Sequence, residues 1–435
     1  MDVPKPRILT ARWGIPGSHT LAVAQEHGAY KALRLALDMA PADITSVVKA
    51  SGLRGRGGAG FPTGTKWTFV PPEEKRGGKP VYLVCNADES EPGTYKDRYC
   101  IWNDPHMLIE GCLIAARAIG AKVAYIYLRG EFKYVKDRLD QALAEARAAG
   151  LVGKNILGSG VDVDIWTHQG AGAYICGEET ALLSSLEGER GQPKLKPPFP
   201  AVEGAWRSPT IVNNVETLQA VTWIIEHGAA AYKAIGTEKA PGTKLFCCSG
   251  NVRKPGVYEL PLGYPMMELL NDECGGLLPG RTLKAVIPGG SSVPIMTPDE
   301  VARATMDYES INEVAGSYLG SGGFIVMDDR TDLVDALTNL LRFYAHESCG
   351  QCTPCREGCG WMYGILTRLN ARECTEADIR VLRDLANNIH SRTICFFGAS
   401  AAMPVQSFLK KFPEEFFGRA GVAVPDDWRP AASAK

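Results

Sequence analysis

Toward the C-terminal end of the chain, three cysteines recur with two residues between neighbours in Cys349-Gly350-Gln351-Cys352-Thr353-Pro354-Cys355. A single loop with that spacing can turn all three sulfurs toward one point, which is how an iron–sulfur cube takes three of its four thiolates. A fourth must come from further on, and Cys359, Cys374 and Cys395 are the candidates. The local run to Cys359 copies the ferredoxin pattern. In two-cluster ferredoxins, however, that last cysteine serves the other cluster, and this chain has no second run of the kind. Cys395 lies in the apolar loop Thr393-Ile394-Cys395-Phe396-Phe397-Gly398, beyond a helix, from where it can fold back over the cube. The favoured set is Cys349, Cys352, Cys355 and Cys395, with Cys359 the second choice for the last place. Disulfides and a structural zinc site are the alternatives, although zinc sites usually show paired Cys-x2-Cys knuckles.

A second concentration of chemistry is the glycine-rich stretch from Gly52 to Trp67, which carries Arg54, Arg56 and Lys66 and is followed by Phe69. Gly55, Gly57 and Gly60 formally spell G-x-G-x-x-G, but a helix-like segment precedes them and no helix clearly follows, so the dinucleotide fingerprint lacks its context. What remains is a loop whose backbone can approach a phosphate or a flat ring, with Phe61, Trp67 and Phe69 as faces for stacking. The alternative is a flexible surface loop.

The elements that would position these residues alternate between strand and helix. Residues 81–85, 122–128 and 161–167 read as strands. Helices are expected from Asp104-Pro105 to about Ile119, and over 131–149, each closed by a glycine. This order predicts a parallel sheet, with ligands beyond the C-terminal ends of its strands. Asn86-Ala87-Asp88-Glu89-Ser90-Glu91-Pro92 falls there after the first strand, and Gly170 to Thr180 after the third, entering a helix at about Gly177. Acids at such a site suit ribose hydroxyls and would repel a 2′-phosphate, favouring NAD over NADP; a solvated acidic turn is the plainer alternative. Asn213-Asn214-Val215-Glu216-Thr217 opens another helix, where the amides either meet a phosphate or flavin edge or cap their own helix.

Around this region, residues 1–50 read as an arm with two short helices, over 28–39 and 42–50. Residues 240–328 show short β-like runs broken by Gly and Pro, with a short helix near 266–271. Residues 331–435 are helical, with Leu333, Val334, Leu337, Leu340, Leu341 and Tyr344 on one stripe and Ile379, Leu382, Leu385 and Ile389 on another, after a Thr375-x-x-Asp378 cap. The cluster loop and Cys395 would then join helices of a bundle whose core holds the cube.

With 435 residues, 45% apolar and 22% charged, about two to four domains are expected. A net charge of −2 makes no electrostatic case for nucleic acid or an anionic membrane surface. No apolar run approaches the roughly 20 residues of a membrane span, and the first residues lack a signal peptide's apolar core. The cysteines outside the cluster motif lie mostly in apolar runs and read as buried thiols of a reducing cytosol.

Taken together, the glycine loop 55–66, Asn86 to Pro92, Gly172 to Thr180, Asn213 to Thr217, and Glu347 to Glu357 with Cys395 resemble the NADH-binding flavoprotein subunit of respiratory complex I, over nearly the whole chain. The resemblance implies an α/β protein with FMN, NAD(H) and one [4Fe–4S] cluster. It implies an N-terminal arm and glycine loop (1–70), a Rossmann-like FMN- and NADH-binding domain (71–238), a small ubiquitin-like (β-grasp, SLBB-like) α+β domain (239–329) and a C-terminal helical bundle with the cluster (330–435). FMN would be held by Gly55, Arg56, Gly57, Lys66, Asn86, Asp88, Tyr174, Glu178, Asn213, Asn214 and Thr217. NADH would meet Phe61, Lys66, Phe69, Glu89, Glu91, Glu179 and Phe199, and the cluster Cys349, Cys352, Cys355 and Cys395. The family motif does not require Cys359, which reads as a buried thiol beside the cluster.

The implied activity is that of an NADH dehydrogenase (quinone) subunit. Nicotinamide delivers two electrons as a hydride, a cluster accepts one, and a flavin stands between them. No general base is needed. Partners would be a thioredoxin-like [2Fe–2S] subunit and the large iron–sulfur subunit, with the chain peripheral on the cytoplasmic side of the inner membrane and without direct lipid contact. Diaphorase subunits of NAD-reducing hydrogenases and NAD-dependent formate dehydrogenases share these motifs. Many of them carry an extra N- or C-terminal domain for which the sequence outside the glycine loop and Cys395 leaves no room, so the complex I subunit is expected. A non-enzymatic scaffold around a structural metal is the reading from a different class.

Overall fold

The computed structural model describes residues 5–428, so residues 1–4, the start of the stretch without a signal peptide's apolar core, and 429–435, at the end of the expected bundle segment, lie outside it. The chain begins with an arm and three short helices, α1 (Leu21–Glu26), α2 (Lys31–Asp38) and α3 (Pro41–Ala50). Only two were expected. α1 buries a single residue, Ala24, and so leaves no apolar period to read. Buried charge ties this arm down. The Arg12 guanidinium donates to both oxygens of Asp104, at 2.7 and 3.0 Å, and the Glu110 carboxylate accepts from the backbone N–H groups of Tyr30 and Leu33.

The glycine-rich loop is followed by a helix after all, α4 (Thr63–Trp67), which corrects the sequence reading. Two threonines and a glycine among its five residues give it low intrinsic helicity. Beyond it come β1 (Tyr82–Ala87), α5 (Lys96–Asn103), α6 (Pro105–Ile119), β2 (Val123–Leu128), α7 (Lys133–Ala148), β3 (Asp164–Gln169), α8 (Glu179–Leu186), β4 (Thr210–Asn214), α9 (Val215–His227) and α10 (Ala229–Lys233). The sheet runs β3-β2-β1-β4 and every pairing is parallel. The sequence predicted three of these strands and missed β4, whose amide-rich end reads as a helix entrance; the helix starts one residue later, at Val215. α5 was missed because two of its buried residues are Lys96 and Asp97, which break the apolar pattern.

α6 behaves as its sequence dictates. The Asp104 side chain caps Met107 N–H, Pro105 occupies the first turn, and Gly120 closes the helix at φ 73°. Gly111 is demanded by packing: a Cβ there would lie 2.2 Å from the Leu218 carbonyl oxygen of α9.

A second sheet follows, from β5 (Thr243–Gly250), β6 (Gly256–Pro261), β7 (Tyr264–Pro265), α11 (Met266–Glu268, continued by a π-turn to Glu273), β8 (Leu283–Ile287), α12 (Pro298–Arg303), β9 (Thr305–Met306), α13 (Tyr308–Ala315) and β10 (Gly323–Asp328). Its order is β6-β5-β10-β8, with β10 parallel to β5 and antiparallel to β8, while β7 and β9 form a separate ribbon. The C-terminal region is helical, with α14 (Leu333–Glu347), α15 (Thr353–Asn370), α16 (Glu376–Ile389), α17 (Phe397–Lys411) and α18 (Pro413–Arg419). The expected stripes are buried apart from Leu340 and Leu385, which pack at the margin, and Thr375 and Asp378 form the expected capping box. Among the described residues no helix is long and apolar enough to cross a membrane.

The two sheets meet at a charge. Glu216 on α9 is fully buried and receives Lys96 Nζ at 2.8 Å, Lys244 Nζ at 3.5 Å and the Leu245 N–H at 2.8 Å. Burial pushes its carboxyl up, but the ammonium groups of Lys244 and Lys96 outweigh that and hold it below the usual range. Removing one partner of such a set strands the others in a low-dielectric site. Glu216→Ala is expected to lose about 3–5 kcal/mol of stability, read from the denaturant midpoint of unfolding.

Candidate functional site

Because all four strands of the first sheet run parallel, the loops after β1, β3 and β4 emerge at one edge. A cavity of about 1020 Å³ opens there, floored by the glycine loop and the start of α9, and closed on its far side by Ser321 before β10 and by Phe396, Phe397 and Ser400 at the start of α17. Every residue that the sequence reading gave to the flavin and the dinucleotide lines it, with the single exception of Arg56.

The exception has a clear cause. The Arg56 guanidinium is buried away from the cavity on Tyr232 Oη (3.0 Å) and the Pro241 carbonyl (2.7 Å). Its backbone is occupied as well, since the N–H donates to Thr217 Oγ1 at 2.8 Å and the carbonyl accepts from Lys244 Nζ at 3.0 Å. Arg54 stacks on the Tyr308 ring at 3.8 Å and pairs with Glu309 at 2.7 Å. Of the three loop cations, Lys66 alone faces the cavity; the two arginines dock the loop onto neighbouring elements. Gly60 makes that docking possible: it sits at φ +66°, and a Cβ would come within 2.5 Å of the Tyr308 ring.

The polar wall is braced against itself. The Glu89 carboxylate accepts from Asp97 N–H (2.7 Å) and Arg98 Nε (2.8 Å) at the start of α5, and Glu178 caps α8 through Thr180 and Ala181 N–H. Asn214 caps α9 and donates to Asp97 at 2.7 Å, while the Asn213 side-chain oxygen accepts from Trp67 Nε1 at 2.9 Å. Asn86 Nδ2 donates to the Gly177 carbonyl at 2.8 Å. Glu91 accepts from Tyr174 Oη at 2.6 Å and from Ser292 N–H at 2.8 Å, joining the first layer to the second. Asp88 differs: among the described residues its carboxylate accepts only from Ser90 Oγ, at 3.2 Å, and burial pushes it up to about 7.

At the mouth, Lys66 Nζ pairs with Glu179 at 2.9 Å, and Lys196 Nζ spans Glu179 at 2.8 Å and Glu178 at 3.0 Å. Burial raises Glu179, but the two lysines outweigh it and hold the carboxyl below its usual range. Phe61 and Phe69 sit beside them with ring centroids 6.0 Å apart, and Phe199 is 56% exposed across the opening. The sequence reading assigned no role to Lys196 or to Lys96, which also line the cavity. Lys196 stands three residues before Phe199 and could have been found by that spacing; the buried Lys96 left no such signal.

The four favoured cysteines come together. Cys349, Cys352, Cys355 and Cys395 ring one small void with Ile175, Ile394 and Phe397, and Cys359 is not part of it. Cys359 is fully buried behind Cys355, their sulfurs 3.9 Å apart. Three of the four thiols are only half-buried, and Ile175 belongs to the first layer, so the void lies at an end of the helical region against the α/β layer. That corrects the expectation of a cube inside the bundle core: Cys349 and Cys352 precede α15, Cys355 lies in its first turn, and Cys395 comes just ahead of α17. The Ile394 backbone N–H donates to the Cys352 sulfur at 3.4 Å. Four thiols around one void, with an amide donor on one of them, fit an anionic iron–sulfur cluster. Among the described residues no three His, Cys, Asp or Glu side chains are arranged to hold a single metal ion. The large cavity, with its glycine floor and aromatic faces, fits a flavin nucleotide with room for a second ring system, being at the upper end of the about 300–1,000 Å³ of ligand pockets.

Comparisons with known proteins agree. Residues 48–223 match the Nuo51 FMN-binding domain, 244–312 the SLBB domain and 335–419 the NADH-ubiquinone oxidoreductase-F iron-sulfur binding region. The F 2 subunit of the NADH-quinone oxidoreductase of Rhizobium meliloti is 52% identical over 410 residues, spanning 94% of this chain and 96% of its own. The chain belongs to the family of NADH-quinone oxidoreductase F subunits. The F subunit of Mycobacterium tuberculosis is 49% identical over 431 residues, 98% of this chain and 96% of its own. A chain of a solved NAD+-reducing [NiFe]-hydrogenase superposes with a TM-score of 0.81 at 37% identity, over 94% of this chain and 68% of that one. The FMN-binding match spans the cavity's glycine loop and acids, and the iron–sulfur match spans all four cysteines.

Two outcomes follow from the site. Replacing any of Cys349, Cys352, Cys355 or Cys395 by Ala is expected to lower bound iron, whereas Cys359→Ala retains it, as measured by iron content and visible absorbance. For Asp88, the folded carboxyl is raised from 3.8 to about 7, so its stabilising contribution is present below 3.8 and is lost as pH rises through about 7. Asp88→Asn is therefore expected to gain stability relative to the parent across that window, as measured by urea unfolding at both ends.

Proposed function

We propose that this chain is the NADH-oxidising subunit of an NADH:quinone oxidoreductase. In this reading it binds NADH and FMN in the large cavity, holds a [4Fe–4S] cluster on Cys349, Cys352, Cys355 and Cys395, and passes electrons on to partner iron–sulfur subunits. One observation carries the reading: Ile175 and Phe397 line both the cavity and the cysteine void, so a two-electron site and a one-electron site share a wall. The flavin, when bound, supplies the exchange between hydride and single-electron chemistry.

The chain's own residues bind and orient. Gly55 and Gly57 let the backbone approach the flavin, and Asn86, Asp88, Tyr174, Glu178, Asn213, Asn214 and Thr217 surround it. Phe61, Phe69 and Phe199 offer their faces to the adenine, and Glu89, Glu91 and Glu179 meet the ribose and nicotinamide side. Lys66 and Lys196, already paired with Glu179, face the dinucleotide as cations. The acids after β1, Asp88, Glu89 and Glu91, suit ribose hydroxyls and disfavour a 2′-phosphate, so NADH is preferred over NADPH.

The domain reading goes with this function: arm and glycine loop over 1–70, a Rossmann-like unit over 71–238, a β-grasp unit over 239–329 and a cluster-bearing helical unit over 330–435. The SLBB match at 244–312 supports the third of these. The partners are a thioredoxin-like [2Fe–2S] subunit and the large iron–sulfur subunit, with the complex's peripheral part on the cytoplasmic side of the inner membrane. The structural likeness to a hydrogenase chain favours a second reading, the diaphorase of an NAD-reducing hydrogenase; the subunits with which the chain co-purifies separate the two.

An anaerobic NADH titration of the purified chain tests the proposal. One FMN and about four irons per chain, with the flavin bleached by NADH and far less by NADPH, is the expected result. Zinc without flavin, or a flavin indifferent to NADH, would sink it. Lys196→Ala is expected to weaken NADH binding by about tenfold, the loss of one charge-assisted contact, read from KM with the flavin content unchanged.

A further inference from the structure

The shared wall between the cavity and the cysteine void is thin and apolar. Phe397 and Ile175 are each 6% exposed, and both line the two spaces at once. Phe397 is fixed from two sides, its ring centroid 5.6 Å from that of Tyr174 and 5.7 Å from that of Tyr344. It is fixed from behind as well, as the first residue of α17, two positions beyond Cys395. Its backbone thus lies beside a cysteine that the functional reading gives to the cluster, while its ring forms the cavity's end. On the cavity side stand Glu91, Glu178 and the open mouth, all polar or wet. On the cysteine side, solvent would raise the local dielectric and reach the thiolates, and both potential and retention of an iron–sulfur cluster depend on that access.

We propose that Phe397, backed by Ile175, is the water barrier between the cluster and the nucleotide cavity. Its ring closes the cysteine void against the nucleotide cavity, so the bulk of this side chain, beyond the four ligands, sets how fast iron is lost and at what potential the cluster takes an electron. The proposal rests on the functional reading above. No ligand is altered by changing residue 397, so the effect belongs to the ring.

The test uses the flavin- and cluster-loaded chain and a graded series, Phe397→Met, Phe397→Leu, Phe397→Val and Phe397→Ala, with Ile175→Ala alongside. Two quantities are read without NADH turnover: the rate at which cluster absorbance decays in air with a chelator, and the cluster midpoint potential from an EPR-monitored titration. Loss is expected to quicken by about tenfold in Phe397→Ala, the scale on which shells around metal sites act, with a more positive potential. Met and Leu should restore both toward the parent. Because a general loss of packing would not move the potential in step with side-chain volume, the graded order separates a barrier from a fold defect. If Phe397→Ala does not fold, Leu and Val still define the trend. Equal decay rates and potentials across the series, in protein that carries both iron and flavin, would overturn the barrier and assign solvent entry to the outer rim beside Gln351 and Ile394. A parent that binds no iron or flavin would overturn the functional reading itself, and the barrier with it.

Discussion

A single buried carboxylate, Glu216, is the contact on which the site's geometry depends. It stands in the first turn of α9, takes Lys96 from the cavity wall and Lys244 from the second sheet, and accepts the Leu245 N–H. Lys244 in turn holds the Arg56 carbonyl, so the glycine loop, α9, α5 and β5 converge within a few bonds of one charge. Such a charge is costly to bury and still costlier to leave unpaired. The network therefore acts as an alignment device: its parts are tolerable only in the arrangement that also shapes the cavity floor.

The same economy runs through the polar wall. Residues read from the sequence as ligand contacts mostly hold one another, with Glu89 at the start of α5, Glu178 at the start of α8 and Asn214 at the start of α9. Three helix starts thus meet one cavity with their N–H groups already satisfied by side chains that also line it. A wall of this kind is stiff before any ligand arrives, which lowers the ordering cost of binding. At the mouth Lys66 and Lys196 are likewise held on Glu178 and Glu179, which leaves Asp88 the weakly partnered acid of the wall.

In the proposed function, the placement of the cysteines lets two kinds of redox site serve one another. They lie at an end of the helical region, against the α/β layer, separated from the cavity by one aromatic ring and one isoleucine. Short separation favours electron passage, and an apolar partition limits water. The geometry meets both demands with Phe397, whose ring is gripped by Tyr174 and Tyr344 from the two regions it divides.

Much of this was legible in the sequence. The spacing of Cys349, Cys352 and Cys355 is local, and a local spacing fixes which sulfurs share a loop. The Asp104-Pro105 start and Gly120 end of α6, and the stripes of α14 and α16, are likewise short-range patterns written in residue type. What only the tertiary structure decided involves groups distant along the chain. Sequence could not rank Cys395 over Cys359 by spacing alone, because Cys359 is nearer in the chain; the fold buries it behind Cys355 and brings Cys395 round from beyond α16. Nor could it tell that Arg54 and Arg56 turn away from the cavity, since a cation in a glycine loop reads the same whether it meets a phosphate or Tyr308 and Tyr232. β4 and α5 stayed hidden for a related reason: their amides and buried charges look like surface until partners 117 and 118 residues away, Asp97 for Asn214 and Asn214 for Lys96, make them interior. Residue type sets what a side chain can do, and only long-range packing decides which neighbour it does it to.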